Sequence, residues 1–354
     1  MQKYSFIIVG SGWRSLFYVR IAKALPQFFE LKALLCRTNE KAQKLAYEYN
    51  IKTSTSIEEC KNLKPDFVVV AVNKADGAKV AQQWANFGFT VLMETPAAQD
   101  EQTLQELWIK HKKGKKILVA EQYIFYPHWQ AILNLLKSNT KNECILGVIN
   151  YVYLSFAHEY HGASLIKAIL NTQSKDFSVS GKIYSFPTAQ TFTRYEKFTD
   201  GKICDKKRTL ALFEFSGNKV ALYDFDSEQY RSPIRKNLFK IQGSRGEITN
   251  DTVNYLDEKN ISHCENLVEL NDEIKFKDET LYKSQFSGYC KTPLTQDEIA
   301  IATQMLSAAE YSVLNKAPLY PLEFALQDSY MAILLLKACS SCQTEKSQKM
   351  PWLQ

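Results

Sequence analysis

Short apolar runs alternate with stretches of helical period through the first third of the chain. Tyr4–Val9 (YSFIIV) is the β-rich apolar run that a strand buried on both faces requires. Residues 16–25 place Leu16, Val19, Ile21, Ala22 and Leu25 at helical spacing, and Pro26 ends the pattern. The alternation continues with strand-like runs at 31–36, 67–72, 90–93 and 117–120, and helical ones at 40–49, 79–87 and 102–112. Repeated βαβ units with short connections predict an α/β fold, a doubly wound parallel Rossmann sheet covered on both faces. Such sheets bind ligands at the carboxyl ends of their strands. After Pro127 one helix begins. Strands then dominate, at 144–155, 179–185, 209–215, 219–225 and 238–242. Several alternate polar and apolar residues, which predicts an open, mostly antiparallel sheet.

Glycine is scarce, 13 in 354 residues, so Gly10 and Gly12 in the turn after the first strand stand out. In G-x-G-x-x-G the first Gly makes the turn, the second admits a pyrophosphate to the backbone, and the third lets helix and strand pack. Here the turn reads Gly10-Ser11-Gly12-Trp13-Arg14-Ser15, with Ser in the third place. We expect these six residues to cradle a dinucleotide; the plainer alternative is a tight turn. An NAD site places Asp or Glu at the end of the second strand. This chain has Cys36-Arg37-Thr38-Asn39 there, with no carboxylate before Glu40. Arg37 and Thr38 offer charge-assisted hydrogen bonds to a 2′-phosphate, and Arg14 is a second candidate. The expectation is NADP(H), with NAD(H) still open; Arg37 could equally be an exposed loop residue.

A length of 354 residues suggests about two domains. The net charge of +6 is spread along the chain. Its densest basic run, 111–116, reads as a solvated turn, so nucleic acid is not the expected partner. No apolar run approaches the ~20 residues of a membrane helix. The start resembles no secretory signal, and the eight cysteines have no framework spacing, so a reduced, cytoplasmic protein is expected. Cys339 and Cys342 form one CxxC with no second ligand pair, and no metal site is expected.

Residues 88–96 (GFTVLMETP) resemble the "aGkhVlvEKP" segment of the Gfo/Idh/MocA oxidoreductases. Residues 10–15, 68–77, 241–248 (IQGSRGEI) and 315–336 resemble further pieces of that family, in order. The resemblance implies a Rossmann domain over 1–122 and a substrate-binding and dimerisation α+β domain over 123–338, followed by a polar tail over 339–354. It also implies cofactor contacts from Val72, Asn73, Glu94, Thr95 and Gln122, a small carbohydrate-like substrate, and a homodimer or homotetramer formed through the outer face of the second sheet.

The departures fall on the chemistry. Thr95 stands where the family has the Lys of EKP, and Gly77 stands where it has a His. Of its D-x-x-x-H pair, Ala157 replaces the Asp and His161 remains. Residues 157–170 instead place His158 and His161 three apart, on one face if helical. An imidazole within reach of a carbinol O–H can take its proton while hydride leaves. His161, with His158, is therefore the expected acid/base; the alternative is a packing or capping role. Tyr123, Tyr160 and Arg194 are candidate substrate contacts, and Phe125 and Tyr126 read as core. The leading expectation is a hydride-transferring dehydrogenase or reductase for a sugar- or polyol-like alcohol or ketone. The rivals are a dinucleotide-binding sensor or regulatory protein without that activity, and an imine (C=N) reductase.

Overall fold

The structure, a computed structural model, describes residues 2–137, 144–173, 175–193 and 195–353. In chain order its elements begin β1 (Tyr4–Val9), α1 (Ser15–Ala24), β2 (Phe29–Leu35), α2 (Asn39–Tyr49), β3 (Thr53–Ser54), α3 (Ile57–Asn62), β4 (Phe67–Val70), α4 (Gly77–Asn86), β5 (Val91–Met93), α5 (Glu101–Lys112) and β6 (Ile117–Val119). Then come α6 (Pro127–Lys137), β7 (Ile149–Ser155), α7 (Glu159–Leu170), β8 (Phe177–Ala189), β9 (Ile203–Phe215), β10 (Lys219–Asp226), β11 (Leu238–Gly243), β12 (Gly246–Thr249) and β13 (Thr252–Leu256). The chain closes with β14 (Ser262–Leu270), β15 (Glu273–Phe276), β16 (Glu279–Lys283), α8 (Gln296–Leu314), α9 (Leu322–Ser341) and β17 (Glu345–Lys346). Among the described residues no helix is long and apolar enough to cross a membrane.

Two compact units result. The first runs through Pro127 and adds Lys283–Tyr330. Its sheet is parallel, in the order β3-β2-β1-β4-β5-β6. Phe67, Val68 and Val69 of β4 are fully buried, as a central strand covered on both faces demands. Phe6 stacks on Phe67 at 5.3 Å and meets Phe29 edge-on at 6.4 Å. Sequence reading assigned residues 283–330 to the second domain; the structure gives them to the first. The reason is burial: Ile301, Met305 and Ala308 of α8 share one hydrophobic cluster with Phe6, Ile8 and Tyr18. Arg20 Nε of α1 pairs with Glu298 Oε1 of α8 at 2.6 Å.

The second unit holds His128–Tyr282 and Met331–Leu353. Its sheet runs β16-β15-β14-β13-β12-β11-β7-β10-β9-β8-β17. It is mostly antiparallel, but β7 and β10 pair in parallel. Strands β8 and β9 stay in unbroken register from Phe177–Phe215 to Ala189–Ile203. Gly162 of α7 packs where a Cβ would stand 2.5 Å from the Tyr223 ring, so only glycine lets α7 sit this close to β10. The expected polar tail is partly ordered structure: Glu345 pairs with Val179 of β8, and Met350 and Trp352 are buried.

Candidate functional site

In the first unit every expected cofactor residue stands in or just after a turn at the carboxyl end of a strand. Gly10, just past β1, has φ +118°, and a Cβ there would stand 2.3 Å from the Ala71 carbonyl oxygen after β4. Both facts require glycine. A Cβ at Gly12 would meet nothing within 4 Å, so packing does not explain that residue. What Gly12 leaves unshielded is main chain at the start of α1, the kind of surface a phosphate binds. Ser15, in the third place, is fully buried and its hydroxyl donates to the Gly10 carbonyl at 3.0 Å, tying the turn to itself. Trp13 is half-exposed and lies edge-on to Phe17 at 4.6 Å. Ser11 hydrogen-bonds the Cys36 thiol, which burial holds above its ordinary pKa despite that bond.

Arg14 is the centre of a buried polar network. Its Nε donates to Glu94 Oε1 at 2.9 Å and its Nη1 to Asp297 Oδ2 at 2.8 Å. The Gln122 amide, with its oxygen toward Arg14, accepts from Nη2 at 3.1 Å and donates to Ala120 O at 2.9 Å. Tyr18 OH donates to the same Glu94 oxygen at 2.5 Å. Burial alone would lower the arginine pKa, but Glu94 and Asp297 outweigh it and raise it further. Burial, then Glu94, push Tyr18 well above the ordinary phenol range, so it stays a donor. Every nitrogen of the guanidinium is thus engaged within the unit.

Arg37 contrasts with it. It is exposed at the end of β2 and makes no hydrogen bond or ion pair among the described residues. Thr38 Oγ1 accepts from Lys41 N at 3.3 Å and caps α2. Asn73, after β4, closes its own turn: Oδ1 accepts from Ala75 N at 3.0 Å, and Nδ2 donates to Asp76 at 2.6 Å. Val72 beside it is half-buried. Thr95 is half-buried and precedes Pro96 through a cis peptide bond. Past β6, the fully buried Glu121 accepts from Tyr123 N at 2.8 Å, and Tyr123 stacks on Tyr126 at 4.8 Å.

The histidines lie in the second unit at the start of α7. His158 is extended and exposed, and Glu159 opens the helix at φ +28°. His161 is 3% exposed, and its ring lies parallel to that of His158, 5.0 Å away at an interplanar angle of 3°. The spacing therefore does bring the two rings together. Tyr160 is buried, edge-on to His161 at 5.4 Å, which suits packing better than the substrate contact expected of it. Arg194 lies outside the described residues. Among those described, no three His, Cys, Asp or Glu stand grouped for a metal. Burial pushes the Cys339 thiol up to about 11.

Tyr18, Glu121 and Asp297 were missed from sequence. Tyr18 and Asp297 sit on helices with no motif of their own, and only the fold joins them to Arg14. Glu121 adjoins Gln122 and carries no spacing signal.

Residues 4–122 match the model of the Gfo/Idh/MocA oxidoreductase family, NAD-binding Rossmann fold. Over that stretch, about a third of the chain, the protein carries an NAD-binding Rossmann domain of this oxidoreductase family's type. No curated protein matches its sequence. Solved structures share the fold along nearly the whole chain. An oxidoreductase from Agrobacterium radiobacter, in complex with NAD+, L-tartaric acid and magnesium, is 9% identical, with TM-score 0.72, covering 97% of this chain and 98% of its own. A myo-inositol dehydrogenase, so described, from Sinorhizobium meliloti is 12% identical, with TM-score 0.65 and coverage of 97% and 99%. Biliverdin reductase from Synechocystis, with biliverdin and NADP+, is 14% identical, with TM-score 0.63 and coverage of 95% and 99%.

Proposed function

We propose that this chain is an oxidoreductase that prefers NADP(H) and moves hydride between nicotinamide and a sugar- or polyol-like alcohol or ketone. The observation that carries the reading is the Gly10–Ser15 turn, in a domain of an NAD-binding oxidoreductase family, with Gly12 open and Gly10 obligatory. That turn suits a diphosphate, and nicotinamide, when bound, gives or takes hydride. Arg37, exposed and unpaired at the end of β2, supports NADP(H): a 2′-phosphate is the anion such a residue takes. Arg14 is left out of that role, because Glu94 and Asp297 already hold it.

The proton is assigned to the imidazole pair. His158 presents the accessible ring, and His161 backs it from within the helix. A carbinol O–H placed against His158 loses its proton to a ring nitrogen as hydride departs; in reduction the same nitrogen returns it. Thr95 supplies no charge, so the chain's own help to the developing oxyanion rests on the imidazoles. Copies of the chain are proposed to pair through the sheet face that carries Tyr184, Phe186 and Leu212.

A second reading, a dinucleotide-binding sensor or regulatory protein, is favoured by Thr95 and Ala157 at positions where the family has charged side chains. Fluorescence titration with NADPH and NADH tests cofactor binding, and a panel of sugars and polyols read by nicotinamide absorbance separates enzyme from sensor. His158→Ala, which removes the proton acceptor, is expected to abolish turnover and spare cofactor affinity. Equal loss of both would give His158 a structural role instead.

A further inference from the structure

The amides that open α7 have no side-chain cap from their own segment. They are satisfied from across the sheet. His158 N donates to the Tyr230 hydroxyl at 2.9 Å, and Glu159 N donates to the Tyr223 hydroxyl at 2.7 Å. Tyr223 belongs to β10, while Tyr230 sits in the turn that follows. Between them Glu159 is held at φ +28°, in the left-handed region that residues with a Cβ rarely adopt. Strain of this kind persists only where its surroundings over-determine it.

The turn bearing Tyr230 is itself fixed by buried polar groups with no role in the chemistry above. Glu228 N donates to Asp226 Oδ1 at 2.9 Å, and Arg235 Nε pairs with Asp226 Oδ2 at 2.9 Å. Gln229 Nε2 donates to Ser155 O, at the end of β7, at 2.5 Å. Ser232 N donates to Glu228 O at 2.8 Å. The turn is thus fastened to the strand that leads into α7. The His158 ring meets Tyr230 at 5.6 Å and Phe225 at 6.1 Å as well as stacking on His161. Gly162 completes the arrangement, because any Cβ there would push away the Tyr223 ring.

We propose that Tyr230 and Tyr223 are positioning residues: their hydroxyls hold the strained start of α7 so that the His158 ring stays stacked on His161 and turned to its substrate. The assignment rests on the functional reading above only for its last clause; the ring geometry stands without it. The polar turn 226–235 acts as a bracket for one imidazole, which accounts for burying Asp226, Glu228 and Gln229 there.

The test compares the whole chain with Tyr230→Phe and Tyr223→Phe, which keep the rings and lose the acceptor oxygens. With five histidines in the chain, the imidazole signals can be resolved by nuclear magnetic resonance. The wild type is expected to show a nuclear Overhauser contact between the His158 and His161 rings. In Tyr230→Phe that contact is lost, while the thermal midpoint stays near wild type and NADPH affinity is unchanged. Turnover of myo-inositol or glucose, where the wild type has it, falls about tenfold or more in kcat with KM little changed, in line with the cost of about 1 Å of misplacement. Tyr223→Phe is expected to act in the same direction. A ring contact kept in both variants overturns the proposal, whatever happens to activity. If neither sugar nor polyol is turned over by the wild type, the functional reading loses its support, and the ring contact still decides the positioning role.

Discussion

Arg14 and Arg37 show how little a residue type says before the fold gives it neighbours. Both are arginines near the predicted cofactor turn, and sequence alone weighed both for a 2′-phosphate. One is bonded to Glu94, 80 residues away, and Asp297, 283 residues away; the other is exposed and makes no hydrogen bond or ion pair among the described residues. Arg37→Ala is therefore expected to weaken NADPH binding by about tenfold or more, the equivalent of one charged hydrogen bond of ~1.5–3 kcal/mol, and to leave NADH binding unchanged. Paired titrations check this, and equal weakening of both cofactors would remove Arg37 from the 2′-phosphate. Gly10→Ala must fit a Cβ 2.3 Å from a carbonyl oxygen at φ +118°. It is expected to lower the unfolding free energy by about 1–3 kcal/mol and to abolish cofactor binding, as urea unfolding and titration would show. Gly10 was legible because a glycine after a buried strand is a local signal. Glu94 was legible only through resemblance, and Asp297 by no route, since its partner is met only in the folded chain.

Among elements, β1, β4, β5 and β6 were readable because each is a short, mostly apolar run; β2 carries Glu30 and Lys32 and was read only from 31, and the two-residue β3, Thr53–Ser54, has no apolar signal and was not read. Strand β9 was read from 209 but begins at Ile203. The missing stretch, ICDKKR, is too charged for any hydrophobic pattern, and its register with β8 holds it as a strand. Helix α8 was not recognised at all. Its apolar residues run nearly all round, which blurs helical period, and what fixes its start is a cap. Thr295 and Glu298 form a capping box there, and Arg20 closes on Glu298. Burial alone would raise the Glu298 carboxyl, but the Thr295 amide and Arg20 prevail and hold it below the ordinary value. A carboxylate with a depressed folded pKa adds stability above its unfolded value, about 4.3, and that contribution is lost as pH falls through the folded value. Glu298→Gln should therefore unfold at lower urea than wild type at neutral pH, with the gap closing in acid below about pH 4. A gap that stays constant with pH would mean the charge does not matter.

At the scale of the whole molecule, the second sheet turns one face to α7 and exposes large apolar side chains on the other. Tyr184 and Phe186 lie there 39% and 46% exposed, stacked at 6.0 Å, and Leu212 pairs across to Leu222. Exposed aromatics side by side on an extended sheet favour a partner surface. Sedimentation is expected to find a dimer or larger assembly, and Tyr184→Lys with Phe186→Lys to shift it toward monomer. A wild-type monomer at high concentration would remove that face as the interface.

The first unit is also discontinuous along the chain: helix α8, which seals one flank of the Rossmann core, is encoded beyond the entire His128–Tyr282 stretch. On the ribosome, at about 5–20 residues per second, the early strands and helices wait on the order of ten seconds for that cover. Through this interval Tyr18, Ile21 and their neighbours present a greasy wall to solvent, a natural perch for a chaperone. A fragment stopping at Pro127 would inherit the same wall permanently, which makes the isolated N-terminal third a poor candidate for soluble expression.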